Sequence, residues 1–327
     1  MNAGIDIGYS AVKAIAGQRR VTFPSVVGTP ERARFSLNGD GAHDIILEAV
    51  DGTAYLVGEG AVMQSRFVDR KEDRGWIESE AYQRLMLAAF SELTRAKVVS
   101  LTVVTGLPVA YFTRDKGTLR DSFLGEHRVT RRDRHSQLFK VTDCRVIPQP
   151  FGALLSLALD DQGRIVDQAL ATGAVGIVDV GGKTTNLLSV NRLSEIARET
   201  ASVDVGAWQT ARAVGDWLSD NCPDLQLRDH QVMAGVIERE VSYYGDTVDL
   251  GPIVDQSLEP MAEQVIAQAT QLWNGGASLK AILVSGGGAL LLGPYIQQRF
   301  RHAHVVSDPV YANALGYWRF AQRIARQ

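Results

Sequence analysis

The distribution of apolar and polar positions along the chain predicts an α/β protein with several buried strands. Short runs rich in Val, Ile and Leu are typical of strands in a parallel sheet, and apolar residues three or four positions apart indicate helices between them. The predicted strands lie at 4–16 (two strands joined by a turn), 98–104, 144–147, 176–180, 186–190, 281–284 and 305–306, and the predicted helices at 78–96, 114–124, 151–159, 208–218, 229–240, 260–272, 290–300 and 312–325.

The second half of the chain begins in the same way as the first half. The segments Asp6-Ile-Gly-Tyr-Ser and Asp179-Val-Gly-Gly-Lys each follow an apolar strand, and they lie about half the chain apart. A pattern used twice predicts two domains of similar design. We expect one domain at 1–150, completed by the C-terminal helix at 309–327, and a second domain at 151–308.

Composition and charge narrow the class of protein. The chain of 327 residues has 34 Lys and Arg against 37 Asp and Glu, which gives no basic field for nucleic acid, so we expect no direct contact with DNA. The two cysteines, Cys144 and Cys222, lie far apart, which favours a reducing cytoplasm over a disulfide scaffold or a zinc site. We find no secretory signal and no membrane helix, so the expected location is cytoplasmic, without membrane contact.

Three glycine-containing turns are the candidates for chemistry. They are Asp6–Ser10, Asp179–Thr185 and Ser285–Gly288, and each follows an apolar strand. Glycines let the main chain approach a ligand, and successive N–H groups form a concave site for an anion. Two such turns facing one another would hold a polyphosphate. Because an aspartate repels phosphate, its presence in a turn calls for a divalent cation with bound waters, which is how proteins usually hold Mg²⁺.

Two common nucleotide-binding designs do not fit the chain. It contains no G-x-x-x-x-G-K-[ST] sequence, which excludes a P-loop. It also contains no G-x-G-x-x-G opening a helix after the first strand, which counts against a Rossmann domain.

The order of these motifs resembles that of the actin-like ATPases, the superfamily that also contains sugar kinases and DnaK-type chaperones. Gly4–Lys13 is similar to the first phosphate motif of that family, Gly176–Thr185 to the second and Ile282–Gly293 to the adenosine motif. Pro148–Leu155 is similar to the connecting helix. The resemblance implies a two-domain actin-like fold, a duplicated ribonuclease H-like fold, with the nucleotide in the interdomain cleft.

Two further segments resemble one branch of that superfamily. They are Thr105–Pro108 and Asp308–Tyr317, which are similar to segments of the bacterial plasmid-segregation actins (ParM, also called StbA) and their archaeal relatives. With these segments the resemblance covers almost the whole chain.

Roles for the first turn follow from the resemblance. Asp6 would hold a water of the Mg²⁺ ion and count among the catalytic residues. Gly8, Tyr9 and Ser10 would line the phosphates, and Lys13 would neutralise charge on the β- and γ-phosphates.

The second turn is implied to act from the other side of the phosphates. Asp179 would organise the waters of the metal and help to position or deprotonate the attacking water. Gly181, Gly182, Lys183 and Thr184 would wrap the phosphates.

The third turn is implied to bind the nucleoside. Gly286, Gly287 and Gly288 would let the adenosine lie flat against the main chain. The implied cofactors are ATP and Mg²⁺, and GTP in place of ATP is left open.

The chain departs from the family pattern in the connecting helix. Many bacterial members have a glutamate beside the proline there, whereas this chain has Gln149-Pro150. A glutamine cannot accept a proton, but it can orient a water for attack on phosphate. We therefore name Gln149 as a catalytic residue, expect Asp179 to be the main polarising group, and expect hydrolysis to be slow.

Three classes of function are compatible with the sequence. The resemblance favours an ATP-hydrolysing protein that polymerises into filaments for plasmid or DNA segregation, with a DNA-binding adaptor as its partner. A nucleotide-switched scaffold and a small-molecule kinase of the same superfamily are the alternatives. No acceptor-binding motif for a kinase is evident.

Overall fold

The computed structural model describes residues 1–30, 45–49, 51–65, 68–69, 75–132 and 135–326. The chain divides into two compact units, one formed by Met1–Val166 with Asn313–Gln327 and the other by Asp167–Ala312. None of the helices within the described ranges is long and apolar enough to cross a membrane.

Both units combine strands with helices, and several strands precede the first helix of the first unit. In chain order the elements are β1 Asn2–Ile7, β2 Ala11–Ala16, β3 Arg19–Pro24, β4 Val27–Gly28, β5 Ile45–Glu48, β6 Ala54–Val57, α1 Glu59–Gln64, β7 Val68–Asp69, α2 Glu80–Leu93, β8 Val98–Leu107, α3 Val109–Phe123, β9 Gly125–Arg131, β10 Gln137–Pro148, α4 Phe151–Ala158, α5 Gln168–Thr172, β11 Ala174–Val180, β12 Thr185–Asn191, β13 Ser194–Glu195, β14 Ala201–Val203, α6 Ala207–Asn221, α7 Asp229–Glu238, β15 Glu240–Tyr243, β16 Asp246–Asp249, α8 Gly251–Leu272, β17 Ala281–Ser285, α9 Ala289–Arg299, β18 Ala303–Val305 and α10 Ala312–Ile324.

Each unit is built on a mixed sheet, and five strands of one sheet repeat five strands of the other. The first sheet contains the order β3-β2-β1-β8-β10, and the second contains β13-β12-β11-β17-β18. In both, the first two pairings are antiparallel and the last two are parallel. The structure thus gives the repeat of the two aspartate-glycine segments a shared topology.

Apolar side chains from the helices cover the sheets. In the first unit α2 and α3 contribute Leu85, Phe90 and Phe123 to a core that also contains Ile5 and Leu101 of the sheet. Because β8 is buried on alternate residues and flanked by β1 and β10, it occupies an interior position in the sheet. The carboxyl ends of β1 and β8 therefore lie side by side, which brings the loops that follow them together.

The last helix belongs to the first unit. Tyr317 and Ala321 of α10 are fully buried and pack with Val104 of β8. Asn2 of β1 donates a side-chain hydrogen bond to Gln322 at 2.9 Å.

Two predicted helices are longer than expected. The helix predicted at 114–124 begins at Val109, directly after Pro108, whose carbonyl accepts a hydrogen bond from the Tyr111 N–H at 3.0 Å. The helix predicted at 260–272 begins at Gly251, and Pro260 lies inside it. The prediction treated Pro260 as a helix start, but proline is tolerated within a long helix that packing stabilises, at the cost of one hydrogen bond.

Candidate functional site

Asp6 is the central residue of the first turn. It is the penultimate residue of β1, is 3% exposed, and lies opposite Lys13 in the antiparallel pair of β1 and β2. The Lys13 ammonium is 3.7 Å from one carboxylate oxygen of Asp6. The Gln149 side-chain amide donates a hydrogen bond to the other oxygen at 2.9 Å.

The electrostatics of Asp6 reflect two opposing effects. Burial raises the pKa of Asp6 above its usual range, because a carboxylate loses solvation in the interior. The charge of Lys13, and then the Gln149 hydrogen bond, act in the opposite direction and favour the ionised form. Burial raises the pKa of the Tyr82 hydroxyl, and the charge of nearby Asp6 raises it further.

The main chain that follows Asp6 forms a tight turn. The Gly8 N–H donates to the Ala11 carbonyl at 3.2 Å. A Cβ atom on Gly8 would lie 3.3 Å from that carbonyl oxygen and 3.6 Å from the Lys13 ammonium, so glycine keeps the space beside Lys13 open. The Tyr9 ring stacks on Trp76 with ring centroids 5.8 Å apart, so the Tyr9 side chain packs against the hydrophobic core of the first unit.

Ser25 lies in the connection between β3 and β4 and supports the first turn through hydrogen bonds. Its hydroxyl donates to the Gly8 carbonyl at 2.5 Å, and its N–H donates to the Ser10 carbonyl at 3.1 Å. Ser25 is 1% exposed. Sequence analysis did not identify it, since a serine after proline carries no signal until the pairing of β2 with β3 is known.

Asp179 occupies the corresponding position in the second unit. It is the penultimate residue of β11, is 2% exposed, and lies opposite Ser285 in the parallel pair of β11 and β17. The Ser285 hydroxyl donates to the Asp179 carboxylate at 3.0 Å. Sequence analysis assigned Ser285 no role, because only strand pairing places it beside Asp179.

The second turn is fixed by the start of α6. The Gly181 N–H donates to the Thr184 carbonyl at 2.9 Å, and the carbonyls of Gly181 and Gly182 accept from the N–H groups of Ala207 and Trp208. Gly206 precedes this helix, and a Cβ there would lie 2.4 Å from the Gly182 carbonyl oxygen. Glycine at 206 is thus required for the close approach, a role that the sequence did not reveal.

Side chains of the second turn differ in exposure. Lys183 is exposed and Thr184 is half-buried, whereas Thr185 is fully buried and donates to the Val205 carbonyl at 2.8 Å. Lys183 and Thr184 are therefore the side chains of this turn that solvent or a ligand can reach.

The three consecutive glycines have different surroundings. Gly286 has a φ of +91°, and a Cβ there would lie 2.4 Å from the Val180 carbonyl and 2.8 Å from an Asp179 carboxylate oxygen. A Cβ on Gly288 would lie 2.6 Å from the Val180 side chain. Gly287 has no atom within 4 Å of its Cβ position, so among the three it is the one that faces open space.

The structure brings the predicted residues together within each unit. In the first unit Asp6, Gly8, Lys13 and Gln149 form one cluster. In the second unit Asp179 and Gly286 are in direct proximity, and the second turn is adjacent to both.

The donor set is compatible with a hydrated magnesium ion. Each turn offers one buried carboxylate, and within the described residues no three His, Cys, Asp or Glu side chains are grouped to form a metal cage. Mg²⁺ typically binds through one or two carboxylates and keeps several waters, so the single buried carboxylate of either turn is compatible with a hydrated ion. The N–H groups of Gly8 and Gly181 donate to the carbonyls of Ala11 and Thr184, whereas the main chain at Gly287 is exposed and can approach a ligand.

Comparisons with known protein families match both units. Residues 4–152 match the model of the N-terminal domain of actin-like proteins. Residues 177–298 match the C-terminal model of the archaeal MreB-like actin homologue. A comparison with curated protein sequences finds no match.

Solved structures of similar proteins cover nearly the whole chain. An archaeal actin homologue is 22% identical with a TM-score of 0.82, over 98% of this chain and 99% of its own. The same homologue in complex with ADP gives 22% identity and a TM-score of 0.81 over the same shares of both chains. A ParM from Clostridium botulinum, solved as a 15-stranded filament, is 25% identical with a TM-score of 0.82, over 98% of this chain and 99% of its own.

Proposed function

The chain belongs to the actin-like superfamily, close to its plasmid-segregation branch, and from this premise we propose that it binds and hydrolyses ATP with Mg²⁺ and assembles into filaments. Its fold is the two-domain actin-like fold. One of the similar proteins was solved with ADP and another as a filament, which supports both parts of the proposal.

One observation carries the proposal. In both units an aspartate with at most 3% exposure is the penultimate residue of the third strand in the repeated five-strand order, and a glycine turn follows it. Burying a carboxylate is costly unless partners or a cation compensate it. Repetition of this costly feature in both units favours a shared task, which we take to be the binding of one metal–triphosphate.

In the first unit, Asp6 would hold the Mg²⁺ ion through a water. Lys13 neutralises negative charge on the β- and γ-phosphates, and Gly8, Tyr9 and Ser10 line the phosphates. When bound, the metal ion neutralises phosphate charge and screens the phosphates from the carboxylates.

In the second unit, Asp179 would help to hold the metal ion through further waters. The turn of Gly181, Gly182, Lys183 and Thr184 wraps the phosphates and contributes the Thr184 hydroxyl and the Lys183 ammonium. The glycine triplet 286–288 receives the nucleoside, with Gly287 offering open main chain. ATP is the proposed nucleotide and GTP is the alternative.

Hydrolysis depends on two polar side chains. Gln149 orients the attacking water through its amide, and Asp179 polarises that water and accepts its proton. Because Gln149 cannot act as a base, we propose slow turnover.

Filament assembly is the process that the nucleotide cycle would control. ATP contacts both domains and hydrolysis removes some of these contacts, so the two nucleotide states favour different conformations. A head-to-tail contact that does not close into a ring extends into a polymer. We propose plasmid or DNA segregation as the role, with a separate DNA-binding adaptor, since the net charge of -3 gives no basic field.

We propose that one domain comprises residues 1–150 with 309–327 and that the other comprises residues 151–308. We also propose a cytoplasmic location, because Cys144 and Cys222 are both free and buried.

Two measurements on the purified chain test the proposal. Phosphate release with Mg²⁺-ATP measures hydrolysis, and sedimentation with light scattering measures assembly, each with ADP as the comparison. We expect slow hydrolysis and ATP-dependent sedimentation. In the variants Gln149→Ala and Asp179→Ala we expect turnover to fall by about tenfold or more.

The outcomes separate the alternatives. ATP binding without ATP-dependent sedimentation across salt and protein concentrations would favour a scaffold. ATP consumption that requires a small-molecule acceptor would identify a kinase. Turnover at the normal rate in both variants would show that the catalytic residues are assigned wrongly.

A further inference from the structure

Helix α10 packs unusually closely on the segments that carry Asp6 and Gln149. A Cβ on Gly4, two residues before Asp6, would lie 2.2 Å from the Ala314 carbonyl oxygen. A Cβ on Gly152, three residues after Gln149, would lie 2.6 Å from the Asn313 Cα. The helix is thus in main-chain contact with both segments.

Tyr317 is the residue of α10 that reaches Gln149. Its side chain is fully buried, and its hydroxyl donates to the Gln149 carbonyl at 3.0 Å. A Cβ on Gly106 would lie 1.9 Å from this hydroxyl oxygen, so glycine at 106 makes room for it. The tyrosine is thus buried and closely packed.

The main chain of Gln149 is fixed by three hydrogen bonds. Its N–H donates to the Leu107 carbonyl at 2.7 Å, and its carbonyl accepts from the Gly152 N–H at 3.2 Å as well as from Tyr317. Since Gln149 is half-buried at the junction of β10 and α4, these bonds set the direction of its side chain. That side chain donates to Asp6.

We propose that Tyr317 is a positioning residue: its hydroxyl holds the main chain of Gln149 so that the Gln149 amide is directed at Asp6. This rests on the proposed function in one respect, that Gln149 orients the attacking water. The C-terminal helix thereby becomes part of the support of the hydrolytic site, although it lies outside the three turns proposed to bind the nucleotide.

The kinetic test uses Tyr317→Phe, which removes the hydroxyl and keeps the ring. We expect kcat, normalised to bound nucleotide, to fall by roughly fivefold while KM stays within about twofold, because orientation is lost and binding is not. In a Gln149→Ala background the same change should have no further effect on kcat. The matched control is Tyr111→Phe on α3, where the half-buried ring lies beside Arg114 and kcat should not change.

A second readout does not require activity. The side-chain amide signals of Gln149 in an NMR spectrum are identified by their disappearance in Gln149→Ala. In Tyr317→Phe we expect them to move towards the positions of a free glutamine amide.

The outcomes keep the two proposals apart. A wild-type chain that neither binds nor hydrolyses ATP would contradict the proposed function, and the NMR comparison would still decide the role of Tyr317. Unchanged Gln149 signals in Tyr317→Phe overturn the inference. So does a loss of kcat that persists in full when Gln149 is already alanine.

Discussion

At the scale of single residues, Asp6 shows how neighbours set the state of a buried carboxylate. Burial disfavours its charge, and Lys13 and Gln149 only partly offset that effect. A residue of this kind reduces stability in the absence of ligand and becomes useful when a cation arrives. Such a balance is common at functional sites, where stability and activity compete.

The first prediction concerns the pH dependence of stability without nucleotide. Because the pKa of Asp6 is raised in the folded state, the native chain binds more protons than the unfolded chain in the interval above the ordinary pKa. The stability that this provides is present at low pH and is lost as pH rises through the raised value. In Asp6→Asn this part of the pH dependence should vanish, as measured by urea unfolding between about pH 4 and about pH 8.

The control is Asp51→Asn. The N–H and hydroxyl of Thr53 lower the pKa of the exposed Asp51, so its contribution has the opposite sign and is lost as pH falls. An identical pH profile for Asp6→Asn and the wild type would contradict the assignment of a raised pKa to Asp6.

The second prediction separates two adjacent glycines. Gly287→Ala should change the free energy of unfolding by less than about 0.5 kcal/mol, since its Cβ would meet no atom. It should lower the affinity for ATP by about tenfold, because the methyl group would occupy space proposed for the nucleoside. Calorimetric titration with ATP measures the second effect.

Gly286→Ala is the counterpart of that variant. Its positive φ and its closeness to the Val180 carbonyl should lower stability by about 2 kcal/mol or more. Full ATP affinity in Gly287→Ala would count against the nucleoside-binding role of the triplet.

At the scale of elements, the docking of α10 depends on glycines that allow main chains to touch. The same residue type elsewhere in a helix only lowers helix propensity. The packing of α10 therefore depends both on its periodic apolar face and on glycine positions at which no side chain fits.

The third prediction compares two helical glycines. In Gly316→Ala the new Cβ would lie 1.9 Å from the Gly152 carbonyl oxygen, and the free energy of unfolding should fall by about 3 kcal/mol as α10 is displaced. In Gly117→Ala, within α3, no atom lies within 4 Å, and stability should rise by about 0.5–1 kcal/mol. Urea unfolding of both variants is the measurement, and equal effects would contradict the packing of α10 described here.

At the scale of the whole molecule, charge is divided unequally between the units. The unit formed by Met1–Val166 and Asn313–Gln327 has 25 Lys and Arg against 20 Asp and Glu, whereas Asp167–Ala312 has 9 against 17. Copies of such a chain attract one another when the basic unit of one meets the acidic unit of the next.

The fourth prediction is a salt dependence of the proposed assembly. At fixed Mg²⁺-ATP, the fraction of protein that sediments should fall as KCl rises from about 0.05 M to about 0.5 M, because screening weakens attraction between exposed charges. A fraction that stays constant or rises with salt would indicate that apolar contacts dominate the subunit interface.

Much of the candidate site could be predicted from the sequence, because its signals are local. A strand that ends in aspartate and glycine, as at Asp6 and Asp179, is recognisable in a short window of residues. Helices with a regular apolar period were also found, among them 78–96, observed at Glu80–Leu93. Two of the helix starts that were missed involve proline. Pro108 directly precedes α3, and Pro260 lies within α8, where packing has to compensate for one lost hydrogen bond.

Local patterns along the chain were thus enough to predict many strands and helices, the repeated aspartate-glycine turns and the class of protein. The distant residues that support those turns became known only from the fold: Ser25 beneath the first, Ser285 beside Asp179, and Tyr317 behind Gln149. The reason is physical. Strand and helix signals arise from neighbours along the chain, whereas these hydrogen bonds join residues that strand pairing and helix docking bring together.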